Sequence, residues 1–162
     1  MKRVDYLDEN DKRIADEEIA QMKRLTSRYT VLLICTFVER TDKYIITEYC
    51  SSGDLRKHIT DLQALPETER IERVLELFAQ IILALDFIHS QGVVHRDIKP
   101  ENIFIMEDGS VKLGDFGLSK MLNEKNYNTV AGTKQYFALE VYIEGKMYFS
   151  TDVYAVGICI IE

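Results

Sequence analysis

The sequence has few cysteines, no long apolar run and a deficit of basic charge. Cys35, Cys50 and Cys159 are odd in number and widely spaced, which favours reduced thiols over disulfides or a metal site. The longest near-apolar run, residues 153–161, is too short to span a bilayer, and the first residues lack the apolar run of a signal peptide. Twenty Lys and Arg against 27 Asp and Glu argue against a nucleic-acid binder that relies on phosphate contacts. We therefore expect a protein that has no nucleic-acid or membrane partner. The expected compartment is the cytoplasm, and the nucleus is the alternative.

What the sequence does contain is enough apolar residues, 46% of 162, for one domain with a buried core. Residues 12–26 have helical periodicity, with Ala15, Met22 and Leu25 on one face. Glu18 falls on that same face. A carboxylate on a buried face needs a cationic partner, because burying an unpaired charge is costly. The alternative is that Glu18 lies in solvent at a frayed helix edge.

A hairpin and a long helix are predicted next along the chain. Segments 31–38 and 44–49 are β-branched and aromatic and are separated by a polar turn, which predicts a β-hairpin. Ser52 or Asp54 can cap the short helix that follows. Apolar positions over 68–90 form a wide helical stripe, so we expect a long and largely buried helix there.

The last third of the chain alternates short strands with loops. Strands are predicted around 93–94, 103–105 and 111–113. Residues 118–135 are polar without a clear period, which predicts a mobile loop. Residues 152–161 are apolar nearly all round, which predicts a helix buried on every side.

The densest group of reactive side chains lies in residues 95–102, HRDIKPEN, between two apolar runs. A second acid, Asp115, follows in the segment Gly-Asp-Phe-Gly, 13 residues after Asn102. Phosphoryl transfer needs an Asp, a Lys, an Asn and another Asp. One carboxylate orients the attacking hydroxyl, the Lys neutralises the moving group, and the other two residues hold magnesium. On these motifs the chain resembles the eukaryotic protein kinases.

The resemblance covers essentially the whole chain and implies an α+β, two-lobed protein-kinase-like fold. Residues 1–49 would belong to the small lobe, and residues 50–162 to the hinge and the first part of the large lobe. Lys99, two positions after Asp97, is similar to the serine/threonine branch. The segments NIFIMEDGSVKLGDFGLSK and LFAQIILALDFIHS look like the NIMA-related kinases. The implied activity is ATP-dependent transfer of the γ-phosphoryl group to Ser and Thr hydroxyls of protein substrates.

The resemblance also implies roles for the reactive residues. Asp97 would be the catalytic base, with Lys99 as its phosphate-contacting partner. Asn102 and Asp115 would be the Mg²⁺ ligands. His95 would be an internal packing residue rather than a general base.

A second implied set surrounds bound ATP. Its members are the anchoring pair Lys2 and Glu18, the gatekeeper Thr47, the hinge residues Glu48 and Cys50, the ribose contact Asp54, the apolar floor Phe104 and the metal ligand Asp115. Three of these have alternatives that remain open. Lys2 could be a disordered terminal residue, while Cys50 and Asp54 could belong to an ordinary surface loop.

Regulation is implied by the segment that follows Asp115. Thr129 lies where the family carries an activating phosphothreonine, an upstream kinase would modify it, and Arg96 is the cation that would bind it. Tyr127 and Thr133 are nearby alternatives as the modified hydroxyl. Thr133 is better interpreted as packing toward Asp97 and Lys99.

The sequence departs from the family in lacking the glycine-rich loop G-x-G-x-x-G. We therefore expect a kinase domain that is incomplete at both ends, with weak ATP binding and little phosphotransfer from these 162 residues alone. The alternative function is a catalytically inactive kinase-like binding module, or a truncated gene product.

Overall fold

The computed structural model describes residues 1–122 and 130–162, and its architecture is α+β, as the sequence predicts. The helices are α1 (Glu9–Arg24), α2 (Leu55–Ala64), α3 (Glu67–Ser90), α4 (Leu139–Glu144) and α5 (Phe149–Ile161). The strands are β1 (Lys2–Asp5), β2 (Leu33–Glu39), β3 (Asp42–Thr47), β4 (Val93–Val94), β5 (Ile103–Ile105), β6 (Val111–Leu113) and β7 (Lys120–Met121). Short 3₁₀ turns occupy Pro100–Asn102 and Lys134–Tyr136.

The first 47 residues form a small antiparallel sheet in the order β1-β3-β2, with α1 packed beside it. The predicted hairpin is confirmed, and its turn is only two residues long, with Arg40 at a positive φ of 55°. Asp8 caps α1 by accepting hydrogen bonds from the backbone N–H groups of Asn10 and Asp11. The predicted helix face is confirmed as well: Glu18 is buried on it, so the solvent-exposed alternative is wrong.

Asp54 rather than Ser52 is the N-cap of α2, since its side chain accepts from the Lys57 N–H. The long helix α3 lies where the sequence predicts it, but the prediction that it is largely buried is wrong in its first turns. Ile71 and Leu75 are half-exposed or more, and the first buried residue of the helix is Leu77. Hydrophobic spacing identifies the helix but does not show where the neighbouring elements begin to cover it.

The three predicted short strands are present as β4, β5 and β6, and β5 pairs with β6. The prediction of a loop over 118–135 is wrong at Lys120–Met121, which form β7 and pair antiparallel with β4. A two-residue strand is too short to produce a period in the sequence, and its existence depends on a partner far away in the chain. Tyr127 and Thr129 lie outside the described residues.

Helix α5 packs against α3 and against the 3₁₀ turn at Lys134–Tyr136. Asp152, Ala155 and Val156 are buried, whereas Val153 and Tyr154 are about half-exposed, so the prediction of burial on every side is wrong. An apolar composition indicates which residues favour burial, and packing decides how many achieve it. Among the described residues, no helix combines the length and the apolar character needed to cross a membrane.

Candidate active site

The HRDIKPEN loop is fixed to α5 by one buried carboxylate. Asp152 accepts hydrogen bonds from the backbone N–H groups of His95 and Arg96, each at 2.8 Å. His89 Nε2 lies 2.9 Å from the same carboxylate, although its sequence context suggests no partner. These contacts hold the loop while Arg96 adopts a positive φ of 74°, a conformation that a residue with a side chain rarely adopts.

Asp97 is the most completely bonded carboxylate of the site. Its Oδ2 lies 2.8 Å from Lys99 Nζ and accepts from Asn102 Nδ2 at 3.0 Å. Its Oδ1 accepts from the Thr133 backbone N–H at 2.9 Å and from the Thr133 hydroxyl at 2.7 Å. Burial raises the pKa of Asp97, but the bonds from Lys99 and Thr133 outweigh it, so the net pKa lies below the ordinary aspartate value. The structure therefore holds this side chain ionised and oriented.

Thr133 joins the later segment to this carboxylate. Its hydroxyl also accepts from Lys99 Nζ at 2.9 Å, so one hydroxyl contacts both charges. The approach depends on Gly132, which has a φ of 120°, and a Cβ on that residue would lie 2.2 Å from the Arg96 carbonyl oxygen. Only glycine fits so close to the HRDIKPEN loop.

Asn102 also bonds to the backbone of the loop, since its Nδ2 donates to the Asp97 carbonyl oxygen at 2.8 Å. On the other side of the site, Phe116 is fully buried against the His95 ring, with centroids 5.3 Å apart. His95 is also fully buried, and its Nε2 lies 3.1 Å from the Gly114 carbonyl oxygen. These contacts support a packing role for His95, and the burial of Phe116 leaves its neighbour Asp115 at the surface.

Asp115 meets the pair that was expected to anchor ATP. Lys2 Nζ lies 2.8 Å and 3.0 Å from the two Glu18 carboxylate oxygens and 3.2 Å from Asp115 Oδ1. Lys2 is therefore an ordered strand residue in this structure, against the alternative of a disordered terminus. Burial lowers the pKa of the Lys2 ammonium, but the two carboxylates outweigh it and raise the pKa overall.

The expected hinge residues follow β3, which ends at Thr47. The Glu48 carboxylate accepts from the Leu32 N–H and from Lys112 Nζ, both at 2.7 Å, so the structure fixes its side chain toward β6. Cys50 is partly buried, and burial, followed by the charge of Glu48, raises the pKa of its thiol. Lys112 gave no functional signal in the sequence, because its partner is 64 positions away.

Asp54 and Phe104 pair across an isolated β-bridge, beside the first turn of α2. The Asp54 carboxylate serves α2 as its cap, which leaves the ribose contact a prediction. Phe104 lies against Gly114, where a Cβ would approach the Phe104 ring to 2.8 Å. The sequence indicated Gly114 only as part of the Gly-Asp-Phe-Gly motif, and its close packing on Phe104 was missed.

Arg96 precedes Asp97, and its side chain is buried, which leaves its contact with a phosphothreonine a prediction. Thr129, the residue expected to be modified, lies outside the described residues.

A magnesium site was expected at Asn102 and Asp115. Over residues 1–122 and 130–162, no group of three or more His, Cys, Asp or Glu side chains is arranged to hold a metal ion. Mg²⁺ in nucleotide sites is usually held by one or two carboxylates together with phosphate oxygens rather than by an all-protein cage. A surface carboxylate at Asp115 and an amide at Asn102 are oxygen donors of the kind that suits this ion.

The chain matches the protein kinase domain family over residues 1–162. It is 35% identical to the serine/threonine-protein kinase Nek6 of Oryza sativa subsp. japonica over 165 residues, which cover 100% of this chain and 30% of that protein. It is 33% identical to the serine/threonine-protein kinase Nek1 of Mus musculus over 162 residues, covering 98% of this chain and 13% of that protein.

A third relative, the serine/threonine-protein kinase sck1 of Schizosaccharomyces pombe, is 37% identical over 139 residues, covering 84% of this chain and 19% of that protein. The chain thus spans less than a third of the length of each of these relatives. The similarity to NIMA-related kinases expected from the sequence is confirmed by the two Nek proteins. With a family match along its whole length, the chain belongs to the protein kinase family.

Proposed function

We propose that the protein transfers the γ-phosphoryl group of ATP to serine and threonine hydroxyls of protein substrates. The observation that carries the proposal is the environment of Asp97, an ionised carboxylate with Lys99 Nζ 2.8 Å from one of its oxygens. Phosphoryl transfer requires little covalent chemistry from the protein, so positioning and charge supply most of the catalysis. This site provides both in fixed positions.

In the proposed reaction Asp97 orients the substrate hydroxyl and accepts its proton as the hydroxyl oxygen attacks the γ-phosphorus. The Lys99 ammonium offsets negative charge on the group in transfer. The Thr133 hydroxyl, which contacts both side chains, keeps them in register. The lowered pKa of Asp97 keeps its carboxylate ionised, so that it can accept a hydrogen bond from the substrate hydroxyl.

Asn102 and Asp115 would hold Mg²⁺, which when bound neutralises charge on the phosphate oxygens. Lys2 would contact the phosphates of ATP, and Glu18 fixes the Lys2 ammonium in place. Thr47, the backbone at Glu48 and Cys50, Asp54 and Phe104 would line the rest of the nucleotide pocket. Residues 1–49 would act as the small-lobe part of the site, and residues 50–162 as the hinge and large-lobe part.

The proposal includes a regulatory step and a location. Phosphorylation of Thr129 by an upstream kinase would supply a dianion for Arg96 to bind. The cytoplasm, or alternatively the nucleus, is the proposed compartment. Its support is the use of intracellular ATP together with three free thiols, which are typical of a reducing environment. The alternative of an inactive binding module is not favoured, since Asp97, Lys99, Asn102 and Asp115 are all present.

The test is transfer of labelled phosphate from ATP to a serine- and threonine-containing protein. It uses the polypeptide as its gene encodes it, with the 162-residue chain assayed in parallel. Asp97→Asn should lower the rate by about 10²–10⁴-fold, the range expected when a positioned base is lost. Asp61→Asn, at an exposed acid on α2, is the matched control and should leave the rate unchanged. Transfer that survives Asp97→Asn would refute the assignment of the base. Absence of transfer by the unaltered polypeptide as its gene encodes it would refute the activity.

A further inference from the structure

A second ion pair joins α1 to the small sheet, apart from the pair between Lys2 and Glu18. On α1, one carboxylate oxygen of Asp16 accepts a hydrogen bond from the Lys43 ammonium. The other accepts from the Tyr6 hydroxyl at 3.1 Å. The Lys43 ammonium also lies over the Tyr6 ring, 4.4 Å from its centroid. Each member of this triad, Tyr6, Asp16 and Lys43, therefore contacts the other two.

The triad is built around a nearly buried ammonium group. The Lys43 side chain is 13% exposed, and an ammonium at that depth requires an anionic partner, because burying an unpaired charge is costly. Asp16 is that partner, and the hydrogen bond from Lys43 holds the pKa of its carboxyl below the usual range. The Tyr6 backbone N–H donates to the Thr41 carbonyl at 2.8 Å, which fixes the tyrosine beside the β2–β3 turn. Backbone and side-chain contacts therefore both hold the triad in place.

Lys2 and Lys43 project from the same face of the sheet. Lys2 pairs with Ile45 across β1 and β3, and Lys43 lies two positions before Ile45 on β3. Side chains two positions apart on a strand share a face, and so do directly paired residues of neighbouring strands. Ile45, which lies between the two lysines, is fully buried. The sheet therefore presents two ammonium groups to α1, with a buried apolar side chain between them.

The two acids that meet these ammonium groups lie on opposite edges of the buried face of α1. Ala15 and Ile19 are buried and mark the centre of that face. Because a helix turns about 100° per residue, Asp16 and Glu18 lie about 80° to either side of that centre. A helix that is attached at both edges of its buried face resists rolling about its axis, whereas a helix attached at one edge is free to roll.

A small roll of α1 is enough to separate Glu18 from Lys2. Side-chain atoms lie about 5–6 Å from a helix axis, so a roll of roughly 20° displaces the Glu18 carboxylate by about 2 Å. Its oxygens lie 2.8 Å and 3.0 Å from Lys2 Nζ, and a displacement of that size breaks both hydrogen bonds. The packing of Ala15 and Ile19 does not fix the roll so closely, because apolar contacts are non-directional.

We propose that this triad positions the nucleotide anchor: it sets the roll of α1 and so holds Glu18 against Lys2. The inference rests on the proposed function, in which the Lys2 ammonium contacts the phosphates of ATP. The members of the triad are positioning residues, since they act on ATP only through the placement of Lys2 and Glu18. Because Asp16 is 53% exposed, its ion pair contributes little to the stability of the fold, and its main effect is on the orientation of the helix.

The test compares the ATP kinetics of Lys43→Met and Lys12→Met in the full polypeptide. Lys43→Met leaves Asp16 without its ammonium and should raise KM for ATP by about tenfold, because misplacing a binding group by about 1–2 Å is costly. KM for the protein substrate should not change. Lys12→Met is the matched control, because Lys12 pairs with Glu9 within α1 itself, at 2.9 Å, and should leave both KM values unchanged. A general loss of folded protein would instead lower kcat without changing KM for ATP.

Further variants separate positioning from general weakening. In a Glu18→Gln background the anchor is already lost, so adding Lys43→Met should raise KM for ATP by less than about twofold more. Lys43→Arg should keep KM within about twofold of wild type, because a guanidinium pairs with a carboxylate and stacks on an aromatic ring. Asp16→Asn weakens the triad from its exposed side and replaces Lys43→Met if the methionine variant does not fold.

Hydrogen–deuterium exchange provides a readout that needs no activity. Lys43→Met should speed exchange of the α1 amides by about tenfold, whereas Lys12→Met should change it by about twofold or less. An unchanged exchange rate, an unchanged KM for ATP, or a full effect of Lys43→Met in the Glu18→Gln background would each overturn the inference. Failure of the proposed function has a different signature. In that case phosphate transfer is absent from every sample, while the faster exchange of α1 is still observed.

Discussion

The two acids of the candidate site, Asp97 and Asp115, are held in opposite ways. Asp97 is 7% exposed and accepts four hydrogen bonds from Thr133, Lys99 and Asn102. The Asp115 side chain is 47% exposed, and its ion pair is with Lys2, itself half-exposed, at 3.2 Å. The fold alone therefore orients the group proposed to meet the substrate hydroxyl. The group proposed to hold Mg²⁺ has fewer partners and remains about half-exposed.

The largest effect on this comparison is expected from replacing Asp152, whose carboxylate holds the loop that carries Asp97. Asp152→Ala leaves two buried N–H groups without their acceptor and should lower the free energy of unfolding by about 3–5 kcal/mol. Urea denaturation measures the change. Asp152→Asn keeps one oxygen acceptor and should lose less. If Asp152→Ala lowers the free energy of unfolding by less than an ordinary surface substitution does, other contacts must hold the loop.

The next test acts on the more exposed side of the site. Lys2→Met leaves the buried Glu18 carboxylate without its cation and should cost about 1–2 kcal/mol, less than for a fully buried pair because Lys2 is half-exposed. The comparison is Asp115→Asn, which removes an exposed charge and should change the free energy of unfolding by about 0.5 kcal/mol or less. Equal losses in the two variants would contradict the unequal burial of the two carboxylates that Lys2 contacts.

The smallest expected effect is on the pH dependence of stability. The pKa of Asp97 is lower in the folded chain than in the unfolded chain. Its ionised carboxylate therefore adds to the free energy of unfolding above the unfolded pKa, about 3.9. This contribution is lost as the pH falls through the folded pKa. The difference in free energy of unfolding between wild type and Asp97→Asn should therefore be constant above about pH 5 and shrink below about pH 4. Urea titrations at a series of pH values measure it. A difference that grows on acidification would mean that the pKa of Asp97 is raised in the folded chain.

Local features of the fold could be predicted from the sequence. The burial of Glu18 follows from its spacing relative to Ala15 and Met22, and the cap at Asp54 follows from residue type at a helix start. Both depend on interactions within a few residues. The sequence did not show where burial in α3 begins, because that depends on elements that meet it from elsewhere in the chain.

The candidate site divides in the same way. The motif around Asp97 is visible because its residues are contiguous. The contacts of His89 with Asp152 and of Arg56 with Glu101 join positions 63 and 45 residues apart, and neither residue type identifies its partner. Periodicity does not encode such pairings, which become visible only once the helices are placed.

The close approach of Gly132 to the Arg96 carbonyl oxygen has a consequence for inherited variation. Every missense change at this codon introduces a Cβ or a larger group where the Arg96 carbonyl stands. Such a change displaces Thr133, and with it two of the hydrogen bonds that reach Asp97. An allele altered only at this position would keep every residue proposed for the chemistry and still present a misaligned Asp97. Genotype lists that score only the charged residues of the site would class it as intact.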